Sequence, residues 1–337
     1  MNPIMRFGVQ IMPGAEPVAD YIDFIKRVEG VGFDVITVSD SYNLSSMGAR
    51  DLYMALTLAA EHTKTAWVGP AVTNLRTRHL YTTVNSICSV DDVAEGRTLM
   101  IVGSGESPVH QIGRTMSSVS EMREGVLAMK ALCAGKPYSW EGKELVPGWR
   151  KPHLPIFISA NGPKALQLGG EVADGVMTGA GVTPKVLGWA REQVAEGAKR
   201  AGRKKKVDLW FNAICHFEAD GDSARRNIRA RLGTRIRSNL RVGFYAVPDV
   251  HLEEAKNYKE NYNENDVGAK SGNIDLMTDY LVNRFAIAGT VAESIERFVE
   301  MSSHGVETVI IALPFEFESS RRIVDAFEKD ILPHFRD

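Results

Sequence analysis

Cysteine is scarce in this chain. Three occur in 337 residues, Cys88, Cys133 and Cys215, odd in number, far apart and without a CxxC. That pattern argues against a disulfide framework or a cysteine-based zinc site and fits a reducing compartment. No run of about 18 apolar residues occurs, and Met1 to Gln10 lacks the long apolar core of a signal peptide. A cytoplasmic protein with no membrane span is the expectation. Charge of one sign is also missing: 40 Lys and Arg face 42 Asp and Glu, for a net charge of −2. No global field draws in nucleic acid or a membrane surface. The short run Arg203 to Lys206 reads as a solvated helix-to-strand corner. The chain has no GxxxxGK[ST] P-loop, no GxGxxG after a strand, no GxSxG elbow and no Cys beside an obvious His. It also has no repeated motif that would build a solenoid.

What is present is a regular alternation. The stretch Leu99 to Ser107, LMIVGSGES, has four apolar residues in a row, which fits a strand buried on both faces. It then opens into Gly103-Ser104-Gly105 followed by Glu106. Further strands are expected over Ile4 to Met12, Phe33 to Val38, Ala66 to Val72, Ile156 to Ser159, Gly175 to Thr178, Val207 to Phe217 and Thr308 to Leu313. Helices are expected over Pro17 to Val31, Asp51 to His62, Thr82 to Ala94, Ser118 to Cys133, Lys164 to Ala173 and Pro184 to Ala201, then from Thr290 to His304 and Phe327 to Phe335. Ser139 to Pro155 reads as a polar excursion. Strand then helix, repeated, predicts an α/β fold, a closed (β/α)8 TIM barrel of about 250 residues plus insertions, in one domain over residues 1–337. Ala219 to Ile287 departs from the pattern. It is helical and arginine-rich, and its Lys256 to Gly272 segment has no periodic apolar face, as a surface insertion or mobile lid would.

Four strand ends are candidates for chemistry: Asp40-Ser41, Val72-Thr73-Asn74, Ser104-Gly105-Glu106, and Asn161-Gly162-Pro163 with Thr178-Gly179. In a barrel all four open on one face. The glycines around Gly105 and Gly162 offer backbone N–H groups to phosphate oxygens. Asp40 and Glu106 can serve as acid or base given a raised pKa, and each reads equally as a helix cap or ion-pair partner. His79 reads as structural, and His110 and His153 have no partner spacing that suggests a metal.

Three motifs carry a resemblance: GPAVTNLRTRH (Gly69 to His79), VGSGES (Val102 to Ser107) and SANGPKALQLGGEVADGVMTG (Ser159 to Gly179). The set resembles the bacterial luciferase-like superfamily, and within it the F420-dependent branch that includes methylenetetrahydromethanopterin reductase. The likeness runs from Phe7 to about Leu313 and is weakest in the insertion. It implies a flavin or deazaflavin at the carboxyl-end mouth, F420 first and FMN as the alternative. Ala160, Asn161, Gly162, Pro163 and Gly179 would lie at the cofactor's phosphate, and Ser104, Gly105 and Glu106 near its ring. It also implies a non-proline cis peptide at Ala71-Val72, with Thr73 beside it, bulging against the ring. Several F420 enzymes have a histidine just after the position of Asp40; here that residue is Ser41.

The expected activity is hydride transfer between F420 and a small organic substrate. An FMN-dependent monooxygenase on the same fold is the nearest rival, and a non-catalytic flavin-binding protein is a third reading. A lyase would need a Schiff-base lysine, for which only Lys164 and Lys185 stand near strand ends. The resemblance further implies a homodimer, with Asp51 to Ala60 or Thr82 to Val93 as the candidate face.

Overall fold

The computed structural model describes residues 5–336 other than Pro13, Ala15, 42–49, 150–153, Val267 and Ala269. Expectations for Ile4 and His153 lie outside the described residues. Eight parallel strands close on one another: β1 (Arg6–Ile11), β2 (Val35–Val38), β3 (Trp67–Asn74), β4 (Met100–Gly103), β7 (Ile156–Ser159), β8 (Gly175–Thr178), β9 (Asp208–Phe217) and β11 (Thr308–Ala312). Each pairs with the next in that order, and β11 returns to β1 at Arg6↔Thr308. The four-residue strands β2, β4 and β8 are buried throughout, because a barrel strand has side chains inside and helices outside.

Val35, Leu99, Ile101, Phe157, Met177, Trp210 and Ile310 form one cluster. They come from or border almost every strand, so they meet inside the barrel. Gly175 faces inward among them, where a Cβ would lie 2.1 Å from the Phe157 ring. The opposite faces pack under α1 (Val18–Val31), α2 (Leu52–Glu61), α3 (Leu80–Val93), α5 (Val119–Cys133), α6 (Pro163–Val172), α7 (Pro184–Arg200) and α12 (Val291–Ser303). Local signals start these helices. Asp51 accepts the Tyr53 and Met54 N–H groups, and Ser118 with Glu121 and Thr290 with Glu293 form reciprocal capping boxes. Among the described residues no helix is long and apolar enough to cross a membrane. Cys88, Cys133 and Cys215 are buried free thiols, and contact with Cys133 together with burial pushes the Cys88 thiol up.

Several elements differ from expectation. The polar excursion contains a hairpin, β5 (Tyr138–Trp140) with β6 (Lys143–Leu145), turned by Glu141 and Gly142 at φ 50° and 76°. Its Tyr138, Trp140 and Leu145 lean on the main core. A short helix, α4 (Ser107–Gln111), follows β4. The closing helix begins earlier than Phe327, as α13 (Phe317–Ala326), because Ser320, Ile323 and Val324 supply a narrow buried face within a charged stretch.

The insertion leaves the end of β9 and returns as β10 (Ala286–Gly289), which pairs with the same strand at Gly289↔Phe217. Between them lie α8 (Gly221–Asn227), α9 (Arg229–Val242), α10 (Leu252–Asn261) and α11 (Asp279–Phe285). Leu232, Ile236 and Leu240, one turn apart on α9, join Tyr258, Leu281, Val282 and Phe285 in a core of their own. The polar Lys256 to Gly272 stretch thus begins in α10 with Tyr258 fully buried. Beyond it, the Asn273 side chain accepts the Asn263 N–H at 2.8 Å and donates to the carbonyls of Asn263 and Asp266.

Candidate functional site

A cavity of about 640 Å³ opens at the carboxyl ends of β1 to β4 and β7, under the end of α9. Of the residues singled out from sequence, Asp40, Ala71, Val72, Ser104, Gly105, Glu106, Ala160, Asn161, Gly162 and Pro163 line it. Thr73 and Gly179 stand behind the wall: the Thr73 hydroxyl donates to Asp40 at 2.9 Å, and the Gly179 N–H donates to the Asn161 side chain at 2.8 Å.

The floor is made by β3. Its pairing with β4 shifts between Ala71 and Thr73, and the Ala71-Val72 peptide is cis. Val72 therefore has no partner on β4 and lies in the cavity wall. Gly103 makes room for it, since a Cβ there would sit 3.0 Å from Val72 Cγ2. The Ala71 carbonyl accepts from Gln10 Nε2 at 2.6 Å and from the Ser39 hydroxyl at 3.3 Å.

Asp40 and Glu106 have different surroundings. The Asp40 side chain is 1% exposed and lies 2.8 Å from Arg78 Nη1. Arg78 reaches on to Asp51 at 3.0 Å. Burial works against the charge of Asp51, but the Met54 N–H and the Arg78 guanidinium outweigh it and hold that carboxyl below its ordinary range. The buried Asp40 is thus tied through Arg78 to the exposed carboxylate that starts α2. Glu106 is the half-exposed residue before α4. It accepts from the Ser238 hydroxyl at 2.9 Å and from Arg241 at 3.2 Å, both on α9, with Arg237 at 3.7 Å. Its carboxylate bridges the mouth of β4 to the insertion.

At the end of β7 the chain turns through Asn161 and Gly162 into α6, with Pro163 at the first helical position and no side-chain cap. The N–H groups of that first turn are left for a ligand, and the helix dipole favours an anion there. A Cβ on Gly162 would meet Val242 at 2.9 Å, so the loop lies directly against the insertion. Ser41, also in the wall, has a buried hydroxyl without a hydrogen-bond partner among the described residues. A buried hydroxyl in that state is costly unless a ligand completes it.

Sequence reasoning missed Gln10, Met12, Ser39, Met116, Ser238, Arg241, Val242 and Tyr245, which also line the cavity. Gln10 and Ser39 end strands and follow from the barrel once the register is known. Ser238, Arg241 and Val242 end α9 and Tyr245 follows it, but nothing local says that this end of the helix covers the barrel mouth. His79 accepts the Tyr81 N–H at 3.2 Å as the cap of α3. Lys164 reaches the rim and is exposed, while Lys185 points to the Val247 carbonyl at 3.5 Å. Among the described residues no cluster of His, Cys, Asp and Glu has the arrangement of a metal site.

The family model described as luciferase-like monooxygenase matches residues 4–308. A 5,10-methylenetetrahydromethanopterin reductase from Methanolobus tindarius is 31% identical over 92% of this chain and 94% of its own length. The protein of the same name from Archaeoglobus fulgidus is 28% identical over 98% of this chain and 100% of its own. Among solved structures, the coenzyme F420 dependent tetrahydromethanopterin reductase from Methanopyrus kandleri superposes with a TM-score of 0.79, covering 99% of this chain and 100% of its own, at 22% identity. That last likeness bears on the fold.

Proposed function

Because this chain belongs to the luciferase-like monooxygenase family, we propose that it is an F420-dependent oxidoreductase that moves a hydride between the deazaflavin and a small organic substrate. The observation that carries this reading is the single cavity in which the β3 bulge, the Ser104-Gly105-Glu106 turn and the open start of α6 meet. The similarity to curated reductases over nearly the whole chain supports it.

The residues present fit such a cofactor. Val72 offers an apolar surface to one face of a planar ring, and the N–H groups of Gly162, Lys164 and Ala165, either side of Pro163, suit a phosphate. Ala160 and Asn161 shape that loop, and Asn161 ties it to Gly179. Lys164 and Arg241 at the rim add positive charge. Bound F420 would supply the hydride chemistry; the protein supplies position. The bulge and the mouth hold the ring so that one face remains for substrate, and Met12, Met116 and Val242 keep water from it. Ser41 has a hydroxyl free to donate to a substrate heteroatom. Glu106, half-exposed and within the cavity, is the carboxylate placed to take or give a proton at the substrate. Asp40, locked by Arg78 and Thr73, acts as an anchor for the bulge.

Titration of the purified protein with F420, followed by fluorescence quenching, and separately with FMN tests the reading. Saturable F420 binding and hydride transfer are expected; binding of neither cofactor ends it. Oxygen uptake with reduced FMN and a substrate would instead favour a monooxygenase. A cytoplasmic homodimer packed through α2 or α3 belongs to the same reading. Light scattering that gives only monomer at micromolar protein removes the dimer.

A further inference from the structure

From inside the barrel to the cavity wall, side chains from distant parts of the chain join into a row. Arg235 on α9 donates to Asn212 of β9 twice, from Nη1 to the backbone carbonyl at 3.0 Å and from Nη2 to the side-chain Oδ1. Asn212 Nδ2 donates to Gln10 Oε1 of β1 at 2.9 Å. Gln10 Nε2 donates to the Ala71 carbonyl at 2.6 Å and to the Ser39 hydroxyl at 3.0 Å. The row crosses the barrel from the insertion to the peptide that forms the bulge.

Its direction is forced. A side-chain amide has nearly the same shape with its oxygen and nitrogen exchanged, so Asn212 and Gln10 have no intrinsic preference. A guanidinium only donates and a peptide carbonyl only accepts. Both ends therefore demand one polarity, and turning either amide over sets oxygen against oxygen or N–H against N–H. Burial pulls the Arg235 pKa down to about 10, with Arg231 adding to the effect, so the group stays charged at neutral pH. Among the described residues it has no acidic partner. Asn212 is 6% exposed, so water does not substitute for its bonds, while Gln10 stands partly exposed at the cavity wall.

We propose that Arg235 is a positioning residue: through Asn212 it fixes the Gln10 amide in the orientation that donates to the Ala71 carbonyl, and so sets where the Val72 bulge meets the cofactor ring. This rests on the cofactor reading above. The insertion then acts on the site twice, at the rim through Ser238 and Arg241 and at the floor through this row.

Asn212→Asp is the decisive variant. It keeps an oxygen for Arg235 and gives that buried cation an acid, which offsets the lost donor to the Ile310 carbonyl at 3.3 Å, so the urea midpoint should stay near that of wild type. It removes the donor to Gln10, whose amide then turns its oxygen to the Ala71 carbonyl. F420 affinity should fall roughly tenfold, the cost of about one buried hydrogen bond, and the absorbance band of the bound deazaflavin should shift. Arg235→Lys should recover most of the affinity, and Arg235→Met should not. Wild-type affinity and an unshifted band in Asn212→Asp overturn the proposal. Should the wild type bind neither F420 nor FMN, the cofactor reading falls by itself. The ligand-free protein then decides the row: the carbonyl carbon-13 resonance of Ala71, which reports the Gln10 amide donating to it, must shift in Asn212→Asp, and an unchanged resonance rejects the row.

Discussion

The two ends of the barrel use charge in different ways. Parallel strands all present N–H groups at one end and carbonyls at the other. At the amino end acids meet the N–H groups: Asp34 accepts from Phe7 at 2.8 Å, Asp174 from Ile156 at 2.9 Å, and Glu29 from Lys64, Thr65 and Ala66. At the carboxyl end arginines of the insertion meet carbonyls: Arg231 donates to Ala312 at 2.9 Å and to Cys215 at 3.2 Å, and Arg235 to Asn212. The amino end also holds a cavity, of about 410 Å³, but the Glu29 and Asp34 carboxylates on its wall are already taken up by backbone N–H groups. The carboxyl end is capped over β9 and β11, while the ends of β4 and β7 open onto the cavity. Charge at one end therefore maintains the fold, and charge at the other end shapes a place for a ligand.

Four substitutions, ranked by loss of stability, probe this contrast. Asp40→Asn should lose the most, about 3 kcal/mol in urea unfolding, since it strips Arg78 of a buried partner. Asp40 then behaves like an amino-end acid despite its place. A variant of full stability that fails only in hydride transfer would put Asp40 among the reacting groups instead. Asp174→Ala should cost about 2 kcal/mol by leaving the Ile156 N–H without its acceptor and Lys130 with only the Val172 carbonyl, with F420 affinity of the folded protein unchanged; weaker binding would mean that the two ends are coupled.

Glu29→Gln should cost about 1 kcal/mol and change the acid limb of the stability curve. Burial opposes the Glu29 charge, but three backbone N–H groups and the Thr65 hydroxyl overcome it and lower the carboxyl from 4.5. A lowered folded value means that the contribution is complete above the unfolded value and disappears as pH falls through the folded one. The variant should lose less stability than wild type over that interval, and parallel curves would refute the assignment. Glu106→Gln should change stability by less than about 0.5 kcal/mol, as exposed pairs do, while kcat falls about a hundredfold if Glu106 carries the proton. An unchanged kcat with weaker substrate binding would leave it a rim residue.

The barrel was readable because each strand and its following turn are consecutive in the chain. Ile156 to Ser159 and Gly175 to Thr178 match their strands residue for residue. The β5–β6 hairpin escaped because its strands are three residues long and only Glu141-Gly142 marks the turn. The buried face of α10 escaped because Tyr258 stands among Lys, Asn and Glu.

By itself the sequence determined the alternating frame and the strand ends that gather at one mouth, since apolar runs and glycine turns are local properties. It also carried the motifs that the family model matches. Only the tertiary structure decided which carboxylate is buried against Arg78 and which is half-exposed against Arg241, and that the insertion folds over the site. Those outcomes depend on contacts such as Glu106 with Arg241, 135 residues apart. No local periodicity encodes a meeting at that distance; it exists only once the barrel has closed and β10 has returned the insertion to β9.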